Sequence, residues 1–203
     1  MTPHPPLLVV ATRNAHKTFE IARMLDGLYV VKDLSAFPDA PDVEETGATF
    51  AENAALKAIS ASRVIPGIVL ADDSGLCVDA LGGEPGVRSA RYAGGSGDSA
   101  SNNAKLLAAL ARLPLQASRT ARFRCSMVLA EEGRVLGAFD GEVEGTLLAE
   151  PRGRDGFGYD PLFMPKGYEQ TFAELPGDVK NGISHRGRAL AKAVEFLKSL
   201  SRS

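Results

Sequence analysis

Little in this chain marks it for an oxidising or membrane setting. Its two cysteines, Cys77 and Cys125, lie far apart in unlike surroundings, so no disulfide framework is expected. No apolar run approaches the length that crosses a bilayer. The lead, residues 1–6, is short, Pro-rich and followed by only a brief apolar stretch, without the layout of a secretory signal. A reducing cytoplasm is the expected location. Charge of one sign is also missing: the formal net charge is -2 and the pI is near 6.0. That removes the broad cationic footprint of a duplex-binding protein, although a small anionic ligand needs only a local cationic pocket. His185 has no Cys or His cluster at metal spacing, which argues against zinc.

What is present is enough for a sizeable core. The 203 residues, 44% of them hydrophobic, fit one α/β domain, residues 1–203, with two lobes and a flexible lead. The stretch around which the rest is organised is Ala71-Asp72-Asp73-Ser74-Gly75-Leu76, after the apolar run 67–70. A short apolar run bounded by turn formers reads as a buried strand, so the carboxylates are expected where the strand ends, the position at which open α/β sheets carry their chemistry. Adjacent Asp side chains repel unless a cation or proton lies between them, which makes the pair a seat for a hard ion such as Mg²⁺. The plainer reading is a solvated turn with Asp72 capping the backbone.

In chain order, residues 7–11 read as a strand feeding the polar loop Thr12-Arg13-Asn14-Ala15-His16-Lys17, then a helix with Phe19, Ala22 and Leu25 on one face. Free N–H groups at the helix start, with Thr12, Asn14 and Lys17, suit a phosphate, although the Gly-rich spacing of a P-loop is missing. A second strand is expected over 28–32, then an acidic loop, 38–47, carrying Glu44 and Glu45. Thr49-Phe50-Ala51-Glu52 is a capping box that opens a helix to about residue 64, with Asn53 and Lys57 on one face and Lys57 read as solvent-facing. Arg88 and Arg91 lie in a Gly-rich passage, and a helix spans 99–113. Strict alternation from Arg122, then Glu132-Gly133, predicts a hairpin continuing to residue 143, with a third strand at 145–149. In the loop Gly156-Phe157-Gly158-Tyr159-Asp160-Pro161, flanking glycines bare a ring on which a flat base can stack. Ser184 caps a closing helix and puts His185 and Arg186 in its first turn, where a cation is disfavoured and implies an anionic or carbonyl-rich partner.

Five blocks occur in one order: Thr12-x-Asn14-x-x-Lys17; Glu44-Glu45-Thr46-Gly47 with Phe50-x-Glu52-Asn53-Ala54; residues 71–92; residues 156–161; and Ser184-His185-Arg186-Gly187. Together, from about residue 7 to 197, they resemble the inosine triphosphate pyrophosphatase family. The resemblance implies a two-lobed, mixed-sheet ITPase-like α/β fold with a nucleotide cleft between the lobes, commonly a homodimer. The implied activity is Mg²⁺-dependent hydrolysis of deaminated purine nucleoside triphosphates (ITP, dITP, XTP) to the monophosphate and pyrophosphate. By the same resemblance Thr12, Arg13, Asn14, Ala15, His16 and Lys17 hold the triphosphate, Glu44 and Asp73 serve the metal, and Asp73 accepts the proton. Ser74, Phe157, Gly158, Tyr159, Asp160, Lys180, His185 and Arg186 contact the nucleotide. Arg13 replaces a Gly of many relatives and His16 a small residue, so both side chains must turn from the ligand or join it.

Adjacency alone leaves Asp72 and Asp73 equal as the base; the resemblance favours Asp73. Competing readings are a related pyrophosphatase for modified pyrimidine nucleotides and a nucleotide sensor that no longer hydrolyses. A dehalogenase-type phosphatase needs Asp-x-Asp after the first strand, which residues 7–12 do not supply.

Overall fold

A computed structural model of the chain describes residues 5–94 and 98–200. Most of the expected lead, residues 1–4, lies outside the described residues, and Pro5 and Pro6 are exposed. The elements in order are β1 (Leu7–Val10), α1 (Ala15–Met24), β2 (Val30–Asp33), α2 (Phe50–Ser62), β3 (Val69–Val78), α3 (Ser99–Ala111), β4 (Thr120–Glu131), β5 (Arg134–Leu147), β6 (Phe163–Pro165), α4 (Gly177–Ile183) and α5 (His185–Leu200), with short 3-10 turns between some of them. The strands form one mixed sheet in the order β2-β1-β3-β4-β5-β6. β1 is parallel to β2 and β3, and β5 is antiparallel to β6.

The chain forms two compact units: Met1–Asp73, Cys125–Gly141 and Gly187–Ser203 in the first, Ser74–Arg124 and Glu142–Arg186 in the second. In the first unit, side chains alternate across the strands as a period of two requires. Leu8, Val10 and Leu70 face one way with Ile21 of α1, Leu25 just after it, and Leu190 and Leu197 of α5. Val9, Ala11, Val69 and Ala71 face the other way with Ala54, Ala58 and Ala61 of α2. The second unit has its own core, in which Leu76, Phe123, Phe163 and Phe172 meet Leu106 and Leu110 of α3.

Several expectations need correction. Phe19 is exposed and Ile21 and Leu25 form the inner face of α1; the apolar stripe begins after the polar first turn, and Phe19 instead lies 5.8 Å beneath the Arg23 guanidinium. The second strand lies slightly later than expected, because the chain turns through Leu28 and Tyr29 before it pairs. β3 does not end at Ala71 but runs on through Asp72-Asp73-Ser74-Gly75 to Val78. β1 stops pairing with it at Leu70, so the acids lie just beyond the point where that neighbour leaves. Gly75 is essential to this continuation, since a Cβ there would meet Ser89 Oγ and the Gly86 carbonyl.

The hairpin turn falls at Glu132-Gly133, both with positive φ (50° and 76°), the pattern of a two-residue primed turn. No break separates the strand expected to end at residue 143 from the one expected over 145–149: both belong to β5. Gly145 reads as punctuation in sequence, but it lets β6 approach, because a Cβ would meet the Met164 carbonyl and the Phe163 ring. The short helix α4, which carries Lys180, was not foreseen; Gly177 and Gly182 at its ends mask it.

Candidate active site

The first unit presents two acid–lysine pairs on opposite faces of β3. Asp72 follows the face of Leu70, toward α1, and its Oδ1 lies 3.1 Å from Lys17 Nζ. The Cys125 thiol is 4.0 Å from Asp72 Oδ2, and the Asp72 side chain is fully buried. Asp73 follows the face of Ala71, toward α2. Asn53 Nδ2 donates to its Oδ2 at 3.2 Å and Lys57 Nζ to its Oδ1 at 3.2 Å. The two adjacent carboxylates thus have separate partners, because consecutive strand residues point apart.

Lys57, expected in solvent, is the structural surprise of this unit. Its ammonium also donates to Glu45 Oε1 at 2.8 Å, and its side chain is only 14% exposed. The capping box explains how the acid loop reaches it: Thr49 Oγ1 accepts from Glu52 N–H, and Glu52 Oε2 accepts from Ala48 and Thr49 N–H. Asn53, fully buried one residue further on, accepts from Gly47 N–H at 2.8 Å and so ties that loop to Asp73. Glu45 is thereby drawn in, whereas Glu44 is exposed. Burial raises the Asp73 pKa above the ordinary carboxylate value, only partly opposed by Lys57 and Lys17 and reinforced by Glu45. For Lys57, burial works against the charge, but Asp73, Asp72 and Glu45 outweigh it and the pKa rises.

The loop before α1 is built for an anion yet partly capped by itself. Asn14 Oδ1 accepts from the N–H groups of His16 and Lys17, and Thr12 Oγ1 from that of Asn14. Arg13 turns into the acid loop, donating to Asp42 Oδ1, the Leu34 carbonyl and the Ala40 carbonyl at 3.0–3.2 Å. Ala15 and His16 are exposed. Among the described residues no group of three or more His, Cys, Asp or Glu is gathered for a metal. The Glu45 and Asp73 oxygens do share one cation, Lys57, and carboxylates so disposed are the donors a hard divalent ion prefers.

In the second unit, Arg186 Nη2 donates to Ser74 Oγ at 2.9 Å, and its guanidinium lies 5.6 Å from the Phe157 ring. Lys180, nearly buried, pairs with Asp160 Oδ2 at 2.6 Å and lies 5.2 Å from the same ring. Asp160 Oδ2 also accepts from Phe157 N–H, and Gly156 is required because a Cβ would meet that carboxylate. Phe157, half-buried, thus has two cations about it, a favourable arrangement for its π-face. The His185 ring stacks on Phe123 at 4.8 Å and 11°. Tyr159 is buried with its hydroxyl given to the Ser89 carbonyl at 2.8 Å, and burial raises its pKa. Gly158 is held by Ser99 and Asn103 of α3.

Asn53, Lys57, Ser99 and Asn103 had no functional reading in the sequence. For the first pair the signal was there, an Asn and a Lys at i, i+4 on the helix whose capping box follows Glu44-Glu45.

Parallel strands joined by helices, with buried acid–lysine pairs in one unit and a cation-flanked aromatic loop in the other, define a mixed α/β protein of a kind already solved. The structure of a HAM1 protein from Coxiella burnetii superposes with a TM-score of 0.85 at 40% identity, over 96% of this chain and 99% of that one. The Ham1 family model matches residues 8–196, and the chain belongs to the Ham1 family. It is 54% identical to a Geobacter sulfurreducens protein named dITP/XTP pyrophosphatase, over 94% of this chain and 96% of that one. A protein of the same name from Desulforamulus reducens is 51% identical over 95% and 96%.

Proposed function

We propose that this protein hydrolyses deaminated purine nucleoside triphosphates, dITP, XTP and ITP, to the monophosphate and pyrophosphate, with Mg²⁺. The observation that carries the reading is the Asp73 carboxylate, buried and fixed by Asn53 and Lys57, in a chain 54% identical to a dITP/XTP pyrophosphatase. In this reading Asp73 orients water and takes its proton, a contribution of roughly 10²–10⁴-fold. Its raised pKa keeps it a better proton acceptor than a solvated carboxylate. Lys17 and the 12–17 loop neutralise and hold the triphosphate, which phosphoryl transfer needs more than covalent catalysis. Arg13, committed to Asp42 and two carbonyls, acts on the ligand through the backbone it fixes.

Asp73 and Glu44 would hold Mg²⁺, with Glu45 close behind through Lys57. When bound, the ion supplies charge neutralisation at the phosphates. In the second unit, Phe157 stacks on the base, and Lys180, His185 and Arg186 read its 6-oxo group. Adenine offers an amino donor at that place, so donors built for an oxo acceptor would face N–H and be left unpaired. Ser74 would keep Arg186 in position, and Asp160 would keep Lys180. Tyr159 would support the loop from below, its hydroxyl being occupied by Ser89. No helix among the described residues is long and apolar enough to cross a membrane. The family resemblance alone carries the further reading of a homodimer acting on the cytoplasmic nucleotide pool.

Pyrophosphate release tests the reading: with Mg²⁺, dITP and XTP are turned over with kcat/KM at least about a hundredfold above ATP, as hydrogen-bond discrimination permits, and EDTA abolishes release. Equal turnover of ATP, or release that EDTA leaves untouched, would overturn it.

A further inference from the structure

Ser99 and Asn103 stand four residues apart on α3 and so share a face of the helix. Between them they grip both polar groups of one residue. Gly158 N–H donates to Ser99 Oγ at 3.2 Å, and Asn103 Nδ2 donates to the Gly158 carbonyl at 3.0 Å. Gly158 directly follows Phe157, has φ of +61°, and has nothing within 4 Å of the place a Cβ would take. Its lack of a side chain therefore serves the left-handed backbone rather than a close approach. Open space on that side leaves Gly158 held by the two hydrogen bonds from α3 and by the turn that Asp160 N–H closes onto the Phe157 carbonyl.

The second observation concerns the other end of the same amide. Asn103 Oδ1 is buried and has no hydrogen-bond partner among the described residues. Its neighbour Asn102 is satisfied at both ends, accepting from Ala93 N–H at 2.7 Å and donating to the Ala90 carbonyl at 3.1 Å. A residue that only filled this place would be better apolar, because a buried acceptor with no donor is destabilising. The amide is accounted for by its Nδ2, which donates to Gly158.

We propose that Asn103, assisted by Ser99, is a positioning residue for base recognition: by holding the Gly158 peptide it sets the tilt of the Phe157 ring. This rests on the nucleotide-hydrolase reading and adds to it a determinant on α3 that never touches the substrate. The rest of the loop is anchored elsewhere, Phe157 N–H on Asp160 and the Tyr159 hydroxyl on Ser89. Releasing Gly158 therefore frees the ring's tilt without dismantling the loop.

Asn103→Leu removes the donor and the stranded acceptor together while keeping the number and branching of side-chain heavy atoms. The expected result is a KM for dITP raised about tenfold, the low end of what base stacking contributes, with kcat little changed. The melting temperature should stay level or rise, and amide hydrogen exchange in residues 156–160 should accelerate. Ser99→Ala should move KM and exchange the same way by less. Unchanged KM and exchange, or a fall in melting temperature with kcat falling alongside, would assign Asn103 to the core and overturn the proposal. If the wild-type protein released no pyrophosphate from dITP, the hydrolase reading would fall on its own. Hydrogen exchange in the Asn103→Leu variant would still test the clamp, and an unchanged rate would sink it.

Discussion

Asp72 and Asp73 are chemically identical neighbours, and the pleat of β3 gives them different partners. Asp72 is buried against Lys17, and Asp73 is held by Asn53 and Lys57 on the opposite face. Asp73→Asn keeps the shape and the Asn53 contact but removes the proposed proton acceptor, so kcat for dITP should fall roughly 10²–10⁴-fold with the circular dichroism spectrum unchanged. Asp72→Asn instead loosens the charge that holds Lys17, and should act mainly on KM. Equal losses of kcat in the two variants would refute this division. Both acids were readable from the chain as candidates. The division between the two acids was not, because adjacency in sequence carries no information about which face each will take until the strand has been placed. Lys57 shows the same limit: a lysine on a helix is ordinarily solvated, and it became a buried partner only because β3 and the acid loop both pack against α2.

α2 is the element that converts a sequence signal into site geometry. Its capping box, Thr49 with Glu52, ends the acid loop at a defined residue, and Asn53 and Lys57 then project toward Asp73 from successive turns. Thr49→Ala removes the acceptor for Glu52 N–H and should cost about 1 kcal/mol, lowering the melting temperature by about 2–4 °C for a chain of this size. A shift smaller than the error of the thermal scan would mean that Glu52 alone holds the helix start. This box, the Glu132-Gly133 turn and the β1–α1 unit were all legible, since each depends on residues close in sequence. The run of β3 past Ala71 and the unbroken length of β5 were not. Asp-Asp-Ser-Gly and Gly145 look like punctuation, and only the contacts of Ser89 with Gly75 and of β6 with Gly145 show why a small residue was needed inside a strand.

At the scale of the whole molecule, β3, β4 and β5 each run through both compact units, so neither can lose these strands without the other. One cooperative calorimetric transition is expected, from a particle of twice the 21.4 kDa chain mass by light scattering. Two separable transitions would count against the proposed single domain, and a single-chain mass against the proposed homodimer. Composition and spacing were enough to bring five blocks into the order of one family, because charge, hydrophobic period and motif order are properties of the chain as written. The partners of those blocks depended on folding. Lys57 on Asp73, Arg13 on the acid loop and Asn103 on Gly158 are pairs distant in sequence, and such contacts exist only once helices and strands have packed and burial has removed water as the competing partner.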